Sequence, residues 1–123
     1  MDRIEKNDEI EDRIIFEVIV DAYDEYERSM GWYYYIAENI EFPFKAVCIR
    51  KMGKSPLAVG EEVNVIDISE DSCDDLKGMY MKINWNNRSF EVPLEQLNPL
   101  NVDDETRKII GDWHYWVDRG YDF

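Results

Sequence analysis

The sequence predicts an α+β fold: a bilobed single domain with an N-terminal helical hairpin, a small SH3-like β lobe and a C-terminal helix. Three observations lead there. Apolar side chains recur with the 3.6-residue period over residues 10–29 and again after Asp103. Between these stretches lie short runs rich in Val, Ile, Tyr and Phe, punctuated by Gly, Asn and Pro as strands and tight turns require. A hydrophobic fraction of 45% and an aromatic fraction of 14% over 123 residues supply a packed core, so the net charge of -14 does not mark a disordered acidic tail. The helical lobe is expected over about 10–42 plus 102–119 and the β lobe over about 43–100.

Residues 1–9 carry charges of both signs around Ile4 and are expected to fray. A first helix is expected from Ile10 to about Ser29, ending where Gly31 permits a left-handed turn. It is sharply two-sided. Glu17, Asp21, Asp24, Glu25 and Arg28 share one face, while Ile14, Val18, Ala22 and Tyr26 belong to the other. A second helix from Trp32 to Ile40 carries the row Trp32, Ile36, Ile40, with Glu38 and Glu41 on a neighbouring strip. A turn at Met30-Gly31 would bring the two acidic strips within reach of each other.

Glu41-Phe42-Pro43-Phe44 ends the helical part, because the residue before a proline is pushed towards extended backbone. Strands are expected at Phe44–Arg50, Val63–Ile68, Met79–Trp85 and Arg88–Val92, with a turn around Val59-Gly60 and an acidic loop from Ser69 to Gly78. Asn86-Asn87 is a two-residue hairpin signal, since asparagine tolerates positive φ. One helical turn at Pro93–Leu97 closes the sheet. Asp103 then caps the last helix, whose apolar side is Ile109, Ile110, Trp113 and Trp116 and whose stop is Gly120.

The charge arises from 28 acids against 14 bases, which repels nucleic acid and anionic membranes and favours cations and basic proteins. Cys48 and Cys73 form neither a disulfide framework nor a zinc pattern and are expected as reduced thiols. The charged N-terminal stretch lacks the apolar core of a signal peptide, and a cytoplasmic location is expected. His114, the single histidine, lies between Trp113 and Tyr115 with no nucleophile nearby in sequence, so it is expected to pack rather than to act as a base. No catalytic motif is present and no enzyme activity is expected.

Calcium takes about 6 to 8 oxygen ligands in loose geometry, so carboxylates on separate elements can share one ion. The acidic strip of Asp21, Asp24 and Glu25, facing Glu38 and Glu41 across a hairpin, supplies that chemistry. It does so without an EF-hand, because the densest acidic run, Asp71-Ser72-Cys73-Asp74-Asp75, has the wrong spacing.

Val20-Asp21-Ala22-Tyr23, Met30-Gly31-Trp32-Tyr33-Tyr34-Tyr35, Phe42-Pro43-Phe44, Val92-Pro93-Leu94 and Asp112-Trp113-His114-Tyr115-Trp116 occur in this order. In these motifs the chain resembles the CcbP-type calcium-binding proteins of cyanobacteria, over nearly its whole length. The resemblance implies a small acidic cytoplasmic calcium-binding protein, a buffer or signalling component. The acids beside the motifs are then candidate ligands: Asp21, Glu38, Glu41 and Asp112, with Asn39 as a neutral oxygen donor and the Glu70–Asp75 loop as a second, weaker place. The alternative is an acidic interaction module that docks a basic partner without a specific metal.

Overall fold

The structure, a computed structural model, describes residues 5–20, 22–52, 55–69, 78–85 and 87–121. Helix α1 (Asp8–Arg13) starts two residues earlier than the periodicity suggests, because the Asn7 side chain accepts a hydrogen bond from the Ile10 amide and caps it. It runs into a π-helical turn, Ile14–Val18, which buries Ile14 and Val18. The chain leaves the helix at Ile19. Helix α2 (Glu25–Asn39) then begins afresh, with extended backbone at Asp24 and the Asp24 carboxylate accepting from the Glu27 amide at 2.8 Å.

The expected hairpin therefore has a different corner. The break falls between Ile19 and Asp24, and Met30-Gly31, expected as the turn, lies inside α2. Gly31 is there for close approach: a Cβ on it would stand 2.3 Å from the Val18 carbonyl oxygen, so only glycine lets α2 rest against the π-helical turn.

Five strands form one antiparallel sheet: β1 (Phe44–Cys48), β2 (Glu62–Ile68), β3 (Tyr80–Trp85), β4 (Arg88–Pro93) and β5 (Leu97–Leu100), in the order β4-β3-β2-β1-β5. The first four make a meander. The 3-10 turn Leu94–Gln96 returns the chain so that β5 pairs with β1, Ala46 opposite Pro99, which is the strand order of an SH3-like lobe. A bulge between Val65 and Asp67 shifts the alternation in β2, so that Val63, Val65 and Ile68 all point inward. Trp85 pairs with Arg88 and Asn87 has φ 61, as a two-residue hairpin demands; Asn86 lies outside the described residues.

Helix α3 (Asp104–Asp118) is capped by Asp103, whose carboxylate accepts from the Thr106 amide at 2.7 Å, and it stops at Gly120, φ 81. Its Trp113 and Trp116 meet Trp32 of α2 with ring centroids 5.0 and 5.6 Å apart. Such pairs contribute about 0.5–1.5 kcal/mol each beyond the area they bury. Ile36, Ile109 and Ile110, all fully buried, extend this seam to the inner face of the sheet.

Gly31→Ala should destabilise the protein by about 2 kcal/mol, although alanine is the better helix former by roughly 1 kcal/mol. Urea unfolding gives the sign directly: a stabilised variant would mean that the π-helical turn and α2 do not make this contact.

Candidate metal centre

Continuity of α2 decides which acids can meet. Glu25 stands in its first turn and Glu38 in its last, and at about 1.5 Å per residue the two are roughly 20 Å apart. A turn at Met30-Gly31 would have folded them together; the uninterrupted helix holds them at opposite ends. At the amino end, Asp24 is engaged as the cap and Glu25 is exposed. At the carboxyl end, Glu38 and Glu41 are both exposed. Between them the Asn39 Nδ2 donates to the Tyr35 carbonyl at 2.8 Å, which leaves its Oδ1 as an acceptor. Asp21 and the acidic loop Glu70–Asp75 lie outside the described residues.

Asp112 is differently employed. It is 1% exposed, on the buried side of α3. Its Oδ2 accepts from the Arg13 Nε at 2.8 Å and from the Tyr35 hydroxyl at 2.9 Å, and its Oδ1 pairs with the second guanidinium nitrogen of Arg13. Both oxygens are thus taken by protein donors in a bidentate ion pair. The hydrogen bond to Asp112 raises the pKa of Arg13, while burial, joined by the Asp112 charge, pushes the Tyr35 hydroxyl up. Neither partner stands out in the sequence: Arg13 sits in a run of mixed charge and Tyr35 in a row of aromatics.

Several other carboxylates also hold the fold. Glu61 accepts from the Trp85 indole at 2.7 Å, and Glu11 from the Tyr115 and Tyr121 hydroxyls at 2.6 and 3.0 Å. Glu95, buried under α3 by the 3-10 turn, accepts from the Trp113 indole at 2.9 Å. Burial raises the Glu95 pKa, opposed by the Trp113 hydrogen bond and the Arg50 charge. His114 packs as expected, with Nε2 2.7 Å from the Leu97 carbonyl and its pKa lowered chiefly by burial.

Among the described residues, no three Asp, Glu, His or Cys side chains stand close enough together to hold one ion. The described acids therefore make no finished cage by themselves, although their hard oxygen donors have the chemistry calcium takes.

The sequence pattern of CcbP, a family described as calcium binding, matches residues 12–117. The chain belongs to the CcbP calcium-binding family. Among solved structures it is similar to the crystal structure of Anabaena CcbP, with a TM-score of 0.86 and 38% sequence identity covering 100% of both chains. It is likewise similar to a calcium binding protein in the calcium-binding form, with a TM-score of 0.82 and 37% identity, again over 100% of both chains. No curated protein matches it significantly. The resemblance carried by the aromatic motifs is thus borne out, and those motifs have a structural basis. Trp32, Trp113 and Trp116 form the α2–α3 seam, and Gly31 admits the π-helical turn.

Two outcomes follow from how the acids are used. Arg13→Met strands the buried Asp112 charge and should destabilise the protein by about 3 kcal/mol. Adding Asp112→Asn, which removes that charge yet keeps an acceptor for Tyr35, should recover much of the loss; chemical denaturation of both variants checks this. Glu95, with its raised pKa, weakens the fold as pH rises from the ordinary glutamate value of about 4.3 through its own higher one. Glu95→Gln, which keeps an acceptor for Trp113, should therefore be more stable than the parent at neutral pH. The difference should shrink as pH falls towards that ordinary value, and a gap independent of pH would contradict it.

Proposed function

We propose that this chain binds calcium on carboxylates outside any EF-hand and acts as a calcium buffer or signalling component in the cytoplasm. Its membership of a calcium-binding family carries the proposal. Further support comes from a net charge of -14, which a divalent cation relieves where carboxylates are nearest, and from a buried free thiol at Cys48, which suits a reducing compartment.

The carboxyl end of α2 is the preferred place for the ion. The last carbonyls of a helix lack intrahelical partners and carry partial negative charge, which favours a cation there and disfavours one at the amino end. Glu38, Asn39 and Glu41 add two exposed carboxylates and an amide oxygen at that same end. Asp24 and Glu25 sit against the positive end of the dipole, where their own charge is already stabilising, and they form a weaker second place. Asp112 serves this site indirectly, by fixing α2 through Tyr35. With carboxylates that are not preassembled, ligands must gather as the ion binds, and protons compete for them.

Calorimetric titration should give a saturable calcium isotherm that survives excess magnesium, and saturating calcium should raise the thermal midpoint. Glu38→Gln with Glu41→Gln should weaken binding by about tenfold or more, while Asp24→Asn with Glu25→Gln should weaken it less. A melt indifferent to calcium would defeat the calcium proposal itself. Should the amino-end variant alone lose the tight site, calcium stands and the assignment to the carboxyl end falls.

A further inference from the structure

The break between the π-helical turn and α2 exposes apolar surface that the core does not use. Val20 and Tyr26 are each 55% exposed, and they line a groove of about 290 Å³ whose remaining walls include Val18, Ala22 and Met30. Its floor is the close approach of Gly31 to Val18. Tyr23, 83% exposed, and Phe16, 70% exposed, belong to the same short stretch of chain. An apolar groove of this kind, with tyrosine at its edge, has the composition of a protein-docking surface rather than of ordinary solvated helix.

Its rim is acidic. Glu27 lines the groove, and Asp24 and Glu25 precede it in the cap and first turn of α2. We infer that this groove docks a basic amphipathic segment of a partner protein, which seats an apolar side chain between Val20, Tyr26 and Met30 and sets its lysines or arginines against the acids at the start of α2. Charge complementarity selects the occupant. A second copy of the chain would bring another -14 to the contact, and nucleic acid or an anionic membrane would be repelled in the same way. The groove involves neither Glu38 nor Glu41, so the inference does not rest on the preferred calcium place, although its rim acids Asp24 and Glu25 are those of the weaker one.

The test uses the full chain in the presence of a calcium chelator, which keeps it separate from calcium binding. The probe is a fluorescent amphipathic Leu–Lys peptide of about four helical turns, compared with a Ser–Lys peptide of equal charge. Anisotropy should show saturable binding of the Leu–Lys peptide and much weaker binding of the Ser–Lys peptide. Val20→Ser with Tyr26→Ser should weaken the former about tenfold, whereas Val59→Ser, at an exposed apolar position elsewhere, should leave it unchanged. Glu27→Gln, which leaves the groove's apolar lining intact, should give a smaller loss and a shallower salt dependence, and it decides the matter if the double variant fails to fold by circular dichroism. Equal binding of the two peptides, or full binding by the double variant, would overturn the inference, because either outcome reports only a diffuse acidic surface. A dimer in sedimentation velocity that the same double variant dissolves would overturn it too, by making a second copy the occupant.

Discussion

One buried carboxylate holds the helical part together. Asp112 projects from α3 into the space between α1 and α2 and takes donors from both, the Arg13 guanidinium and the Tyr35 hydroxyl. In a chain with a net charge of -14, a carboxylate that is 1% exposed is tolerable only with such partners, because desolvating an unpaired charge costs several kcal/mol. The pair also fixes geometry. Arg13 is the last residue of α1, immediately before the π-helical turn, so anchoring it to α3 sets where Val18 arrives and hence where α2 must pass at Gly31. The tryptophan seam of Trp32, Trp113 and Trp116 packs onto that frame.

Much of the fold was legible because it rests on local signals. Strand positions followed from β-branched and aromatic runs, the distal hairpin from Asn86-Asn87, and the last helix from its Asp103 cap. The misreadings share a cause, which is that tertiary contact overrode the local meaning of a residue. Gly31 reads as a helix stop, but its missing Cβ serves a neighbouring backbone. The strand Leu97–Leu100 goes unread for a similar reason: it is short, carries Pro99, and exists through its pairing at the sheet edge with β1, where proline is accepted opposite Ala46. One missed element did carry a local signal. Asp24 followed three residues later by Glu27 has the spacing of a capping box, with Asp24 accepting from the Glu27 amide and the Glu27 carboxylate accepting from the Tyr23 amide at 3.3 Å. That spacing marks the true start of α2, and the uninterrupted apolar periodicity across residues 10–29 concealed it.

The candidate site was much less legible, because a carboxylate looks the same in sequence whatever it holds. Asp24 and Asp103 cap helices, Asp112 pairs with an arginine, Glu61 and Glu95 accept from indoles, and Glu11 accepts from two tyrosines. Several of these partners are aromatic residues of the very motifs that carry the family resemblance. Acids beside these aromatic motifs are thus as apt to be structural as ligating, and Asp112 is the clearest instance. Grouping the remaining acids depended on a hairpin corner; once the corner moves to the stretch before Asp24, the acids expected to face each other are separated by the length of α2.

That separation gives the two ends of α2 different electrostatics from one repeated ingredient. At the amino end, acids offset the positive end of the helix dipole, stand beside exposed tyrosines and an apolar groove, and present a surface suited to a long, cationic, partly apolar chain. At the carboxyl end, Glu38 and Glu41 add to a dipole of their own sign, a combination that favours a compact, hard cation over a flexible peptide. The helix is continuous, roughly 20 Å long between those ends, and longer than the Debye length of about 8 Å at physiological salt. Direct charge coupling between the ends is therefore weak. A continuous set of contacts joins them, from Tyr35 through Asp112 and Arg13 to the π-helical turn that forms the groove wall at Val18.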